Sequence, residues 1–204
     1  HGTIGCMSRA SLTRFDNTFE YYQRMAESKV NRPFHAFART AAAAGMLVRD
    51  GLLHIEIPDS VKALKGPAVF ASTHRSRSDI PIFVQATQKA GFEHTRPIAK
   101  AEYFTNPIVS WAFHEWGAIA VDRDKPNLRG VNYAGSAFLQ AGNSVQVFTE
   151  GTRIRTHKKD GTRAVHKETG EPLDVYHAYA PKATAAVLAL INGVPIIPMA
   201  MAGV

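Results

Sequence analysis

At 204 residues, with hydrophobic residues at 45% and charged residues at 20%, the chain has a composition that excludes disorder as its default and allows one domain with a buried core layer. A formal charge of +7 and a sequence pI near 9.7 predict attraction to polyanions, which leaves nucleic acid, an anionic membrane surface and phosphorylated small molecules all open. The single cysteine, Cys6, excludes an intrachain disulfide framework and fits a reducing compartment.

Residues 1–50 read as one or two helices, with Phe15, Phe19 and Tyr22 at helical spacing, then Phe34, Phe37 and an Ala-rich stretch to Met46. Arg14, Arg24, Lys29, Arg32 and Arg39 are interleaved with these aromatics. Such a segment can lie in a bilayer interface or pack on the domain as a helical layer, and the two are compatible. No run of about 18 apolar residues is present, so no transmembrane helix is expected. The nearest candidate, 33–48, is short and contains Arg39. The opening residues carry charges throughout and have no apolar centre, so no signal peptide is predicted. The chain begins at His1 and stops at Val204 inside an apolar run, and is read as a fragment or a processed chain, with truncation of the domain expected at its C-terminal end.

From residue 51 onward, short apolar runs alternate with helical patterns. Strands are predicted at 52–57, 68–72, 96–99, 118–121, 144–148 and 195–201, and helices at 79–90, 101–114, 127–140 and 181–191. This order predicts an α/β fold with a mostly parallel central sheet flanked by helices, preceded by the N-terminal helical segment. One stretch within this 51–204 domain breaks the rhythm. Residues 156–180 form a polar insertion, rich in Lys, His, Glu and Gly and without sustained periodicity, as functional or solvated loops are. Its histidines, His157, His166 and His177, lack close metal-ligand spacing and have no partner cysteine, so no metal is expected.

The first stretch that carries chemistry runs from His74 to Asp79. The predicted strand 68–72 delivers His74 to its C-terminal end, where open α/β sheets bind ligands. Asp79, at the start of the next helix, can turn back and accept the imidazole N–H, leaving the other ring nitrogen to take a proton. The spacing alone decides little, because His54 and Asp59 repeat it within a predicted strand interrupted by Pro58. That second pair is read as chance.

A second stretch, 148–153, also follows a predicted strand. Gly151 permits a tight turn, Glu150 and Arg153 bracket backbone amides that can face an anion, and Arg153 offers a planar fork for phosphate, with Arg155 nearby. The alternative is a turn held by a local Glu150–Arg153 ion pair. Arg123 and Lys100 likewise follow predicted strands. One base, His74, and three cations, Lys100, Arg123 and Arg153, are therefore expected along one sheet edge. Deprotonating a hydroxyl beside a phosphate requires such a group.

These residues resemble the motifs of the 1-acylglycerol-3-phosphate acyltransferases, within the glycerophospholipid acyltransferase superfamily. The family pattern N-H-x-x-x-x-D is similar to 73–79, with Thr73 in place of Asn, and G-x-I-x-V-D-R is similar to 117–123. F-P-E-G-T-R-S-R is similar to 148–155, with Thr149 for Pro and Ile154 for Ser, and V-P-I-I-P-V is similar to 194–199. The family's lysine before the second motif corresponds to Lys100. Four ordered motifs across roughly 67–204 are far more specific than any one alone. Two departures stand out: the polar insertion at 156–180, where the family spacer is short, and the end of the chain just after the fourth motif.

The resemblance implies an O-acyltransferase of phospholipid biosynthesis, with lysophosphatidic acid as the favoured acceptor. His74 would be the base and Asp79 its orienting partner. Arg123, Glu150, Gly151, Thr152 and Arg153 would hold the acceptor phosphate, and Lys100 would meet the oxyanion or the donor. The co-substrate would be an acyl-CoA or acyl carrier protein thioester, with no cofactor and no covalent acyl-enzyme. The place implied is the cytoplasmic face of a membrane, with the protein bound peripherally to an anionic surface. Glycerol 3-phosphate or a phosphoinositide-type glycolipid is the alternative acceptor, with the 156–180 insertion reading the headgroup. A basic nucleic-acid-binding domain would satisfy the charge but leave the ordered motifs unexplained.

Overall fold

The computed structural model describes residues 19–27, 54–74, 79–115, 117–121, 128–151, 157, 160–165, 169–172 and 182–200. Among them, β1 (Val69–Ser72), β2 (Thr95–Lys100), β3 (Ile119–Val121), β4 (Ser144–Phe148) and β5 (Ile196–Met199) form one sheet. Its order is β3-β2-β4-β1-β5, and every pairing is parallel. The helices are α1 (Phe19–Glu27), α2 (Asp59–Lys62), α3 (Asp79–Lys89), α4 (Pro107–Glu115), α5 (Leu128–Gln140) and α6 (Thr184–Asn192). The predicted α/β class with a parallel central sheet is what the chain adopts. β3 and β4 are buried along their whole length, as expected of parallel strands covered on both faces.

Alternation along each strand sorts side chains to two faces. Val69, Ile119, Val121, Val145 and Val147 pack with Tyr22 of α1, Phe138 of α5 and Leu188 of α6. Ala68 and Phe70 face the other way and pack with Phe92 and Ile197. The connection from β1 to β2 passes β4 in one direction, and that from β4 to β5 passes β1 in the other. Right-handed crossovers in opposite directions put α3 and α6 on opposite faces. The C-terminal ends of β1 and β4 therefore lie where the winding reverses, the position at which open α/β sheets bind ligands.

Within the predicted N-terminal helical segment, α1 buries Tyr21, Tyr22, Met25 and Ala26 in the same core as the strands, with Arg24 exposed. The Tyr22 hydroxyl donates to Ala120 O at 2.9 Å, tying α1 to β3. Residues 1–18 and 28–53 lie outside the described residues. No helix among the described residues is long and apolar enough to cross a membrane.

Three expectations need correction. Residues 54–58 form no strand, although their exposure alternates as predicted. Ile57 leans on the Phe70 cluster without joining a ladder, and Pro58 lacks the N–H that a ladder needs. The helix predicted over 101–114 is broken in two. A 3-10 turn, Ala101–Phe104, precedes α4, because Pro107 disfavours a helical residue before it. Asn106 Oδ1 instead accepts from the amides of Ile108 and Val109, at 3.0 and 3.2 Å, and so caps the new helix. Finally, α6 starts at Thr184 rather than 181, because the amide of Lys182 is engaged elsewhere, donating to Thr149 O at 2.8 Å.

Gly117, which opens the second motif, has a structural reason. Its φ is +75°, and a Cβ there would stand 2.9 Å from Arg96 Cζ. Arg96 is buried, donates through Nε to Asn143 Oδ1 at 3.0 Å, and lies 5.9 Å from the Phe138 ring centroid. Burial pushes its pKa down to about 10. In the polar insertion, the described residues make two antiparallel bridges, His157 with Arg163 and Val165 with Pro172. Asp160 Oδ1 accepts from the Thr162 amide at 2.9 Å and stabilises the intervening turn. This part of the insertion is thus locally folded, without strand periodicity.

Candidate active site

Two strand ends build the site. The ladder between β1 and β4 finishes at Ser72 opposite Phe148. Beyond it, Ser72 O accepts from the Thr149 amide at 2.9 Å and from Thr149 Oγ1 at 3.3 Å. One residue further, Glu150 Oε2 accepts from the His74 backbone amide at 3.1 Å. Two successive residues leaving β4, Thr149 and Glu150, thereby hold alternate residues at the end of β1, Ser72 and His74.

His74 is held on its ring as well. The imidazole stacks on Phe148, with centroids 4.1 Å apart and planes inclined by 22°. Phe148 leans in turn on Phe83 of α3, at 6.2 Å. Asp79 is the first residue of α3 and is fully buried, and its Oδ2 lies 2.9 Å from His74 Nδ1. A carboxylate can only accept, so Nδ1 carries the proton and Nε2 is the nitrogen that can face a substrate hydroxyl. The His74 side chain is 17% exposed, so the ring is not sealed from solvent. The acidic residue also sits where a helix N-terminus favours negative charge.

The repeated spacing at His54 and Asp59 makes no dyad. His54 Nε2 lies 3.1 Å from Glu56 Oε1, and Lys62 Nζ donates to Asp59 Oδ1 at 2.8 Å, all on the surface. Lys100 ends β2 on the same sheet edge as His74, and its ammonium reaches the exposed Glu102 at 3.4 Å. Gly151 turns with a φ of +71°, which a side chain would strain. Arg123, Thr152 and Arg153 lie outside the described residues.

Three contributors escape the reading of the sequence. Phe148 enters it as a motif residue, not as the surface against which the His74 ring stacks. Thr149 enters it only as a departure from proline, yet proline could not supply the two bonds that Thr149 donates to Ser72 O. Lys182 falls inside a predicted helix. A Cβ at Gly151 would stand 2.8 Å from its Nζ, so its ammonium lies against the turn. The chain that leaves at Gly151 thus returns beside the same turn. The available signal for Lys182 is its place as a lone cation between the polar insertion and the last apolar helix.

An open parallel α/β sheet that sets a part-exposed histidine on a buried carboxylate at its winding reversal has a geometry on which general-base chemistry can be built. The Acyltransferase family model matches residues 53–202. The chain belongs to the acyltransferase family. It is 24% identical over 137 residues to 1-acyl-sn-glycerol-3-phosphate acyltransferase of Streptococcus pneumoniae, covering 67% of this chain and 51% of that protein. It is 28% identical over 144 residues to the chloroplastic LPAT1 1-acyl-sn-glycerol-3-phosphate acyltransferase of Arabidopsis thaliana, covering 68% of this chain and 39% of that one. Among solved structures, the 1-acyl-sn-glycerophosphate acyltransferase PlsC of Thermotoga maritima is similar, at 20% identity and a TM-score of 0.44, covering 88% of this chain and 57% of that one. The chain spans about half or less of the length of these curated relatives.

Proposed function

We propose that this chain carries the catalytic domain of a 1-acylglycerol-3-phosphate O-acyltransferase, moving a fatty acyl group from an acyl thioester to the free hydroxyl of lysophosphatidic acid. The observation that carries this reading is the His74–Asp79 pair, with Nδ1 on a buried carboxylate at 2.9 Å and the ring part-exposed just past the end of β1. Nε2 takes the proton of the acceptor hydroxyl as its oxygen attacks the thioester carbonyl. The C–S bond then breaks, the imidazolium returns its proton to the leaving thiolate, and Asp79 stabilises the imidazolium between these steps. This needs no cofactor and no covalent acyl-enzyme. The thioester is that of coenzyme A or an acyl carrier protein. Arg123, Thr152, Arg153 and the Gly151 turn bind the acceptor phosphate, and Lys100 meets the oxyanion. The basic N-terminal segment, in this reading, holds the protein peripherally on an anionic cytoplasmic membrane face.

The test is an acceptor panel with one radiolabelled acyl donor, read by thin-layer chromatography. Lysophosphatidic acid is expected to be acylated in preference to glycerol 3-phosphate and to a monoacylglycerol lacking phosphate. Arg153→Ala should raise KM for lysophosphatidic acid roughly ten- to a hundredfold, the usual worth of a charge-assisted bond. It should leave use of the phosphate-free acceptor unchanged. Equal impairment with both acceptors would make Arg153 structural and remove the phosphate reading.

A further inference from the structure

We propose that Glu150, which the motif resemblance places among the phosphate contacts, is instead a positioning residue that fixes the catalytic base through its backbone. The inference rests on the reading of His74 as the base and says how that base is held in place. Glu150 is 4% exposed, and its Oε2 accepts the His74 amide at 3.1 Å. His74 lies two residues past the last ladder pair, Ser72 with Phe148, so among the described residues no strand supplies an acceptor for that amide. The Glu150 side chain provides one, extending the β1–β4 connection past the end of the ladder. Thr149 holds Ser72 O from the adjacent position with two donors. The base is then constrained in three independent ways. Asp79 sets its tautomer, Phe148 sets the plane of the ring, and Glu150 sets the backbone from which the ring projects.

The alternative role fits the chemistry less well. A carboxylate repels a phosphate, and one in a buried place does so with little screening by solvent. Oε1 has no hydrogen-bond partner among the described residues, so the His74 amide is the defined contact of this side chain there. Misplacement of a catalytic group by about 1 Å can cost on the order of a hundredfold in rate. A residue that only secures a backbone amide beside the base can therefore control kcat without touching substrate.

Three substitutions and two measurements test this. Glu150→Gln keeps an acceptor oxygen at the same reach, Glu150→Asp withdraws it by one methylene, and Glu150→Ala removes it. With lysophosphatidic acid and an acyl thioester, Glu150→Ala and Glu150→Asp should lower kcat roughly ten- to a hundredfold. Acceptor KM should stay within about twofold in both, and Glu150→Gln should keep kcat within about threefold. Hydrogen exchange at the His74 amide should quicken at least about tenfold in Glu150→Ala and stay protected in Glu150→Gln. A raised acceptor KM with unchanged kcat would overturn the proposal, as would Glu150→Gln behaving like Glu150→Ala. Should Glu150→Ala not fold, the Gln variant decides alone, and loss of its amide protection overturns the proposal. If the wild type acylates none of the acceptors, the functional reading fails, while the amide exchange still tests the clamp.

Discussion

His54 and Asp59 stand at the same separation in the chain as His74 and Asp79, and both aspartates open a helix in the fold. Yet His54 turns to Glu56 and Asp59 to Lys62, while His74 and Asp79 find each other. The difference lies in the strand before the histidine and the helix after the aspartate. His74 is delivered by a strand paired on both sides, whereas 54–58 belongs to no ladder. Asp79 starts a helix that buries Ile82, Phe83 and Val84, whereas Asp59 starts one that buries nothing. An exposed pair contributes little, typically about 0–1 kcal/mol, because water competes for both partners and side-chain entropy is lost. A buried carboxylate must have its partner, and breaking such a pair costs about 3–5 kcal/mol. Spacing makes a dyad available, and burial makes it obligatory.

The sharpest test of that contrast is the pair His74→Ala and His54→Ala. The first removes the proposed base and should lower kcat on the order of a hundred- to ten-thousandfold with the fold retained. The second should leave kcat within about twofold and stability within about 0.5 kcal/mol, as surface substitutions usually do. Equal losses, measured with the same acceptor, would mean that the base is assigned wrongly.

Next in size is the matching pair of acids. Asp79→Asn keeps the shape but can donate to Nδ1, which moves the imidazole proton to Nε2 and disables the base. A loss in kcat on the order of a hundred- to a thousandfold is expected, together with a lower melting temperature from the disturbed buried pair. Asp59→Asn loses only a surface contact to Lys62 and should change neither quantity measurably. If Asp79→Asn retained full activity, the ring would be held by its stack and backbone alone, and the argument from burial would fail.

Much of the fold and the dyad is legible in the sequence because it depends on local pattern. Continuous apolar runs mark the strands around Val69, Ile98, Ile119 and Val145, and their alternation with helices marks the parallel sheet. The His74–Asp79 pairing comes from a strand end meeting a helix start. The errors arise where a local pattern has a non-local cause. Alternation at 54–57 is real, but Ile57 rests on the cluster around Phe70 and Phe92 rather than in a ladder, a packing invisible in the segment itself. The break before Pro107 is readable from Asn106-Pro107 but is masked by apolar periodicity on either side. The bond from the His74 amide to Glu150 depends on residues 74 and 150 meeting, which only the strand order β4-β1 determines. The Thr149 departure is its one sequence signal, since an amide and a hydroxyl replace a residue with neither.

The smallest effect concerns the ring stack between His74 and Phe148, the support on this side of the comparison that is neither charge nor hydrogen bond. Phe148→Leu preserves a buried apolar side chain but removes the flat surface, and aromatic pairs are worth about 0.5–1.5 kcal/mol beyond their burial. If that energy serves to hold the imidazole plane, kcat should fall roughly two- to tenfold, with both KM values unchanged. Phe83→Leu is the control, because Phe83 meets Phe148 in a tilted contact on the side of α3. It should lower the melting temperature by a similar amount while sparing kcat. The stack would then be a positioning device in its own right, graded below the buried acid and the base it serves. Were both variants to lose only thermal stability, Phe148 would be core packing that happens to touch a histidine. The contrast between the two His–Asp pairs would then rest on strand delivery and the buried carboxylate alone.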